Sequence, residues 1–170
     1  RANAPEVPLA PDPIAELAIA AGRVAEAAEA ADRTRKVLDG LGDRYLAGEI
    51  DQALAMIDAA RGYFAASRAR ASARMDALGA RDDRWNMSAV RTILLLCAAG
   101  LNVSRADVEA AVGAFTAAFT EVPHDEPATW WMMRESATRL ARAGHADLAA
   151  TVSAILDERL ARIARAFRDG

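Results

Sequence analysis

This sequence is poor in the residues that build covalent or metal-bound sites. Cys97 is the only cysteine among 170 residues, and His124 and His145 are the only histidines. One cysteine excludes an intramolecular disulfide, a CxxC redox pair and any zinc site with several thiolates. Glu121 and His124 have the spacing of a di-iron ligand pair, but Pro123 between them would keep them off a common helix face. We therefore expect no metal site and no cofactor.

Long apolar runs and catalytic motifs are also missing. The longest apolar run, residues 93–101, is about half of the roughly 20 residues that a membrane-spanning helix needs. The signature motifs of serine hydrolases, P-loop NTPases, HExxH metalloproteases and EF-hands do not occur. We expect no transmembrane segment and no enzymatic activity. The lack of disulfides is compatible with both the cytosol and the periplasm.

Aromatic residues are scarce, nine in all, whereas alanine is abundant, with 44 residues. Alanine is the best helix former but buries little apolar area per residue. No segment shows the alternation of apolar and polar residues that is typical of strands. The composition therefore predicts an all-α protein whose helices pack closely.

The first segment of the chain is predicted to be an arm followed by a helix. Residues 1–12 form an extended Pro-rich arm, because proline fixes φ and removes a backbone donor. Asp12 and Pro13 then match an N-cap and the first position of a helix. Apolar residues spaced three and four apart predict that this helix continues to about residue 39, where Gly42 can cap it.

A second long helix is predicted after a short connector over 43–48. The same spacing continues over about 49–78, with Gly62 as a tolerated weak point. Two long helices with a short joint pack as an antiparallel pair. Residues 13–79 are therefore predicted to form a long antiparallel helical hairpin.

Residues 84–168 are predicted to form a compact bundle of about four helices. The segment 85–99 is apolar on nearly all sides, so we expect it to be the central helix. Ser104 and Asp107 resemble a capping box at the start of the next helix. Two further helices are predicted over 128–143 and 146–168. The hairpin and the bundle form either two units with a shared junction or one continuous domain.

Positive charge is concentrated in residues 61–91, which carry seven Arg and three Asp. One interpretation is a docking face for an acidic partner, with Arg68 and Arg74 as its candidate contacts. The alternative is that the acidic first helix neutralises this face within the chain, through Glu16, Glu26, Glu29 and Asp32. The net charge of −3 disfavours nucleic acid as a partner.

The tetrad Trp130-Trp131-Met132-Met133 spans most of a helix circumference, so its members cannot all face one core. Trp130 and Met133 fit the inner stripe of their helix. Trp131 and Met132 must then contact another helix of the same chain, a partner or a ligand. Exposed Trp and Met are enriched in binding surfaces, so both are candidate partner contacts.

Two functional hypotheses follow. The first is a non-catalytic helical interaction or scaffold protein that binds a protein partner or a second copy of itself. The alternative is a small-molecule-binding helical domain, with an apolar pocket in the C-terminal bundle. Its predicted lining consists of Trp85, Phe119, Trp130 and Met133.

Overall fold

A computed structural model describes residues 22–42, 44–101, 103–123 and 125–169. Within these ranges the chain is all-helical, as predicted, and has no strand. The predicted arm over 1–12 and the predicted helix start at Asp12 and Pro13 lie outside the described residues. The helices are α1 (Val24–Leu41), α2 (Arg44–Ala60), α3 (Phe64–Gly79), α4 (Arg84–Gly100), α5 (Arg105–Glu121), α6 (Pro127–Arg142) and α7 (Ala146–Asp169).

The predicted single helix over 49–78 is wrong, because the chain turns at residues 61–63. Gly62 has φ +82°, a conformation that glycine adopts without the steric cost of a side chain. The Tyr63 amide donates to the Asp58 carbonyl at 2.8 Å and closes the turn. Residues 24–79 therefore form three helices, and α2 and α3 pack against each other across the turn. The predicted connector over 43–48 is also too long, since α2 already begins at Arg44.

Helix α4 is the centre of the fold, as its apolar sequence predicts. It packs against α2, α3, α5 and α6, and the Asp83 carboxylate caps its start by accepting the Asn86 amide at 3.2 Å. Opposite faces of α4 serve different cores: Ile93 lies in one and Leu95 in the other, and neither is exposed. Nearly every side of this helix is thus covered by protein.

The first core joins α1, α2, α3 and α4, and it also takes two residues from α6. Its buried apolar residues are Ala27, Ala28, Ala31, Ala53, Ala55, Met56, Ile57, Ala59, Phe64, Ala71, Leu78, Val90, Ile93, Leu96, Cys97, Ala128 and Met132. The second core lies between α4, α5, α6 and α7. It contains Leu95, Val108, Val112, Phe115, Phe119, Met133, Ala137, Leu140, Ala149, Val152 and Leu156.

The ends of the later helices follow their capping residues. The Asp107 amide donates to the Ser104 hydroxyl at 3.2 Å, and that hydroxyl donates to the Asp107 carboxylate at 2.6 Å. Pro127 opens α6, and Gly144, with φ +85°, lies in the turn between α6 and α7. The bundle helices therefore lie within about one residue of their predicted bounds. The division into a hairpin unit and a bundle unit stays a prediction.

Candidate interaction site

The tetrad at the start of α6 faces two cores, because α6 packs against both α4 and α7. Met133 and Trp130 belong to the second core, whereas Met132 and Trp131 pack against the first. Met132 is only 1% exposed, so the expectation that it faces a partner is wrong. Trp131 is half-buried against the same core. The contact of these two residues with another helix of the same chain is the alternative that the structure supports.

The four residues of the predicted ligand pocket are not brought together. Phe119, Trp130 and Met133 belong to the second core, and Met133 has no exposed surface. Trp85 lies in the first turn of α4 and is 47% exposed. The hollow beside Phe119 measures about 110 Å³, and its other lining residues include Pro123, Ile155 and Arg159 but none of the predicted set. The small-molecule hypothesis stays a prediction.

Part of the basic segment is neutralised within the chain, but not by the acids that the sequence suggested. Arg70 pairs with Asp58 on α2 at 3.0 Å, and Arg84 pairs with Glu121 on α5. Of the expected acids, Glu16 lies outside the described residues. Two others pair within or next to α1 itself: Glu26 with Arg23, and Glu29 with Arg33. The acidic residues that face the arginines come from α2 and α5 because those helices, rather than α1, adjoin α3 and α4.

Arg74 is buried, so its predicted role as a partner contact is wrong. Its guanidinium donates to the Glu49 carboxylate at 2.5 Å and lies against Gly48, where a Cβ atom would meet it at 2.2 Å. The Asn86 amide group also donates to Glu49, at 3.4 Å, and to Asp83, at 2.9 Å. Side chains from α2, α3 and α4 therefore share one buried polar network.

Arg68 has a different setting, since it lines an open groove on the outside of α4. We call this hollow of about 280 Å³ the arginine groove. Helix α3 forms one wall, α5 forms the other, and α4 with the loop before α5 forms the floor. The lining residues are Arg68, Ser72, Arg91, Leu94, Ala98, Val103, Asp107, Ala110, Ala111 and Ala114.

Two arginines that line the arginine groove form no ion pair with any residue that the structure describes. Among the described residues, no carboxylate lies within 4 Å of Arg68 or Arg91. The Asp107 carboxylate, on the opposite wall, accepts a hydrogen bond from the Ser104 hydroxyl. The groove therefore combines a small-residue apolar surface with unneutralised positive charge on its α3 and α4 side.

The thiol of Cys97 does not line the arginine groove. Cys97 is fully buried and donates to the Ser67 hydroxyl at 3.1 Å. Burial raises the pKa of Cys97, although the Ser67 hydrogen bond and the charge of Arg68 act to lower it. The thiolate, which is the reactive form, is therefore disfavoured.

The sequence identified Arg68 and Arg91 as members of a basic segment but missed the groove. The spacing of Arg91, Leu94 and Ala98 places them on one face of α4, and the spacing of Asp107, Ala110, Ala111 and Ala114 does the same on α5. Periodicity gives the face of each helix. It does not say which helices adjoin, and the groove depends on that.

The described part of the chain contains neither a metal-ligand cluster nor a membrane-spanning helix. In those residues, no set of three or more His, Cys, Asp or Glu side chains could hold a metal ion. His145 lies in the turn before α7, and His124 is outside the described residues. None of the helices described is both long and apolar enough to cross a membrane.

No protein-family model, curated protein or solved structure matches this chain. Its function is therefore inferred from the shape and the charge of the arginine groove.

Proposed function

We propose that this chain is a non-catalytic helical interaction protein whose arginine groove binds an acidic amphipathic helix of a partner protein. One observation carries the proposal: Arg68 and Arg91 line the same apolar groove, and neither has a carboxylate within 4 Å among the described residues. Cations placed beside apolar surface without a counter-ion can complement an acidic ligand.

The shape of the groove supports a helical ligand. Helices α3 and α5 both pack on α4 but not on each other, which leaves a channel above Leu94 and Ala98. Alanine side chains at positions 110, 111 and 114 leave room for a close approach of backbones, and packed helices lie about 8–10 Å apart. An amphipathic helix in a groove between two helices is a common mode of recognition.

The charges support a ligand with carboxylates on one flank. Arg68 and Arg91 both lie on the α3 and α4 side, whereas the α5 wall is mostly alanine. Guanidinium groups can hold carboxylates with paired hydrogen bonds, which gives orientation as well as affinity. A partner helix would therefore place its small apolar residues on α5 and its acidic residues towards α3.

The test uses a synthetic peptide with Leu and Ala on one helical face and Glu on one flank, with binding followed by fluorescence anisotropy. Reversing the charges in the double variant Arg68→Glu with Arg91→Glu should weaken binding about tenfold or more. Ala110→Trp should block binding by filling the groove from an exposed position. Arg61→Glu is the matched control, since Arg61 is exposed in the turn before α3 and lies outside the groove.

Equal peptide affinity for the groove variants and the wild type would refute the proposal. The alternative partner is a second copy of the chain. If sedimentation shows a dimer that Ala110→Trp dissociates, the groove binds another protomer and the proposal of a foreign acidic helix is wrong.

A further inference from the structure

The arginine groove contains a negative charge as well as its two positive charges. The charged residues that line it are Arg68 on α3, Arg91 on α4 and Asp107 on α5. Asp107 is exposed in the first turn of α5, and no cation lies within 4 Å of its carboxylate in the part of the chain that the structure describes. A purely acidic ligand would therefore meet one like charge in the groove.

Asp107 lies at the same end of the groove as Arg68. The Cys97 thiol donates to the Ser67 hydroxyl at 3.1 Å, so the next residues along the two helices, Arg68 and Ala98, lie at about the same level. Ala98 is close to the end of α4, and a short loop leads from there into the first turn of α5, which contains Asp107. Arg68 and Asp107 therefore lie on opposite walls, near the end of the groove beside that loop.

Arg91 lies towards the other end of the groove. It precedes Ala98 in α4, and the separation of the two residues corresponds to about 10 Å of helix. Ala114 lies equally far along α5 from Asp107, and because a short loop joins α4 to α5, Ala114 lies at about the level of Arg91. The α5 wall thus carries its negative charge at one end only, and alanine lines the rest of it.

The Asp107 carboxylate is held in place but is not neutralised. The Ser104 hydroxyl donates to it at 2.6 Å, and the Asp107 amide donates to that hydroxyl at 3.2 Å. These two hydrogen bonds tie the carboxylate to the start of α5. Because the hydroxyl carries no charge and a carboxylate can accept about four hydrogen bonds, Asp107 can still bind a cation.

We propose that the ligand of the arginine groove is a helix with carboxylates on the flank that faces α3 and one Lys or Arg near one end of the opposite flank, where it pairs with Asp107. This assignment of the ligand rests on the function proposed above. Opposite charges across an interface favour the correct partner, and like charges disfavour the wrong one. Asp107 is therefore a specificity-determining residue, which selects against a helix that is acidic on both flanks.

The experiment compares three fluorescent peptides by anisotropy at low ionic strength, where exposed charges are least screened. The acidic peptide has Leu and Ala on one helical face and Glu on one flank. The other two peptides add one Lys to the opposite flank, either near the amino end or near the carboxyl end. Because the Glu flank faces α3, only one of these Lys residues can reach Asp107. That peptide should bind the wild type roughly threefold more tightly than the acidic peptide does, whereas the other should show no gain.

Three variants of the full chain assign the gain to Asp107. Asp107→Asn keeps a side-chain oxygen that can accept from Ser104 and should abolish the preference for the Lys peptide. Asp107→Lys should reverse the preference, and it should bind the acidic peptide more tightly than the wild type does. Asp157→Asn is the matched control, since Asp157 is exposed on α7 outside the arginine groove, and it should keep the preference. Circular dichroism verifies that each variant is folded.

The failure of this assignment is distinguishable from the failure of the proposed function. If the acidic peptide binds but neither Lys peptide binds more tightly, Asp107 does not select the ligand, whereas the proposed function stands. The same conclusion follows if the gain survives Asp107→Asn, or if both Lys peptides gain equally through general attraction to the net charge of −3. If none of the three peptides binds, the proposed function is wrong, and the role of Asp107 is wrong with it.

Discussion

The two cores of this protein are built by different means. Eight of the 17 buried apolar residues in the first core are alanine, against two of 11 in the second. Alanine buries little apolar area, so the first core depends on close backbone approach, whereas the second depends on the volume of Phe, Leu, Val and Met side chains. The same helix, α4, contributes to both.

The alanine-rich core also contains more polar contacts. The Ser67 hydroxyl donates to the Ala55 carbonyl at 2.7 Å and accepts from Cys97, so α2, α3 and α4 are joined by buried hydrogen bonds. The ion pair of Arg74 with Glu49 joins α2 and α3 a few turns away. Buried polar groups are costly unless satisfied, but once satisfied they specify one arrangement of helices. We infer that polar contacts select the packing of the first core and that shape selects the packing of the second.

The largest expected effect comes from removing volume in the second core. Phe115 has no exposed surface and its ring packs on Phe119 with centroids 5.4 Å apart. Phe115→Ala should lower the free energy of unfolding by about 3–5 kcal/mol, through lost burial and the cavity left behind. Urea denaturation measures the loss. A loss below about 1 kcal/mol would show that the second core is not held by close packing.

The same variant tests whether the two cores unfold together. Cys97 lies only in the first core, and burial raises the pKa of its thiol, so alkylation requires opening of that core. If α4 couples the cores, Phe115→Ala should accelerate alkylation of Cys97 about tenfold for each 1.4 kcal/mol of lost stability. An unchanged alkylation rate would mean that the first core opens independently.

The next effect concerns the polar network of the first core. Glu49→Ala should cost about 3 kcal/mol, because it leaves the buried Arg74 guanidinium without its carboxylate. Glu109→Ala is the control, since its pair with Arg105 is exposed and screened by solvent, so its loss should leave the free energy of unfolding nearly unchanged. Chemical denaturation of both variants gives the comparison.

A double substitution at the same ion pair shows whether the pair itself stabilises the fold or mainly selects how the helices pack. Replacing Glu49 and Arg74 together by Met should recover part of the loss caused by Glu49→Ala, because no buried charge remains unpaired. If the double variant is less stable than Glu49→Ala, the ion pair itself is strongly stabilising rather than a device that selects the packing.

A smaller loss of stability is expected from a substitution at the contact between the end of α4 and the start of α3, where little free space remains. A Cβ atom at Gly100 would lie 2.5 Å from the ring of Phe64, and the Arg139 guanidinium covers that ring at 4.7 Å. Gly100→Ala should therefore cost about 1–3 kcal/mol by overpacking. Thermal unfolding followed by circular dichroism measures the change. An increase in stability would show that the ring moves aside freely.

Local signals predicted the helix ends well in the second half of the chain. Ser104 was predicted to cap α5 and does so, because capping depends on residues within one turn. Asp83 at the start of α4, Pro127 at the start of α6 and Gly144 in the turn before α7 are local signals of the same kind. The break at residues 61–63 was not predicted. The apolar spacing runs through Ile57 and Phe64 without interruption, and only the positive φ of Gly62 reveals the turn.

The exposure of single side chains was harder to predict than the helices. Met132 and Arg74 were expected at a surface, and both are buried, because α6 is covered on two faces and α3 packs on α2. Arg68 lies in the arginine groove, and its role in partner binding stays a prediction. Sequence periodicity defines faces within a helix, whereas tertiary packing decides which faces are covered.

The smallest expected effect is a gain in stability, from the same substitution of glycine by alanine at an exposed position. Gly113 lies within α5 and is exposed, and a Cβ atom there would meet nothing within 4 Å. Gly113→Ala should raise the free energy of unfolding by about 0.5–1 kcal/mol, because alanine loses less backbone entropy in a helix. The same thermal unfolding assay compares it with Gly100→Ala, the same chemical change with the opposite expected sign. Destabilisation at Gly113 would mean that this face of α5 is covered and leaves no room for a methyl group.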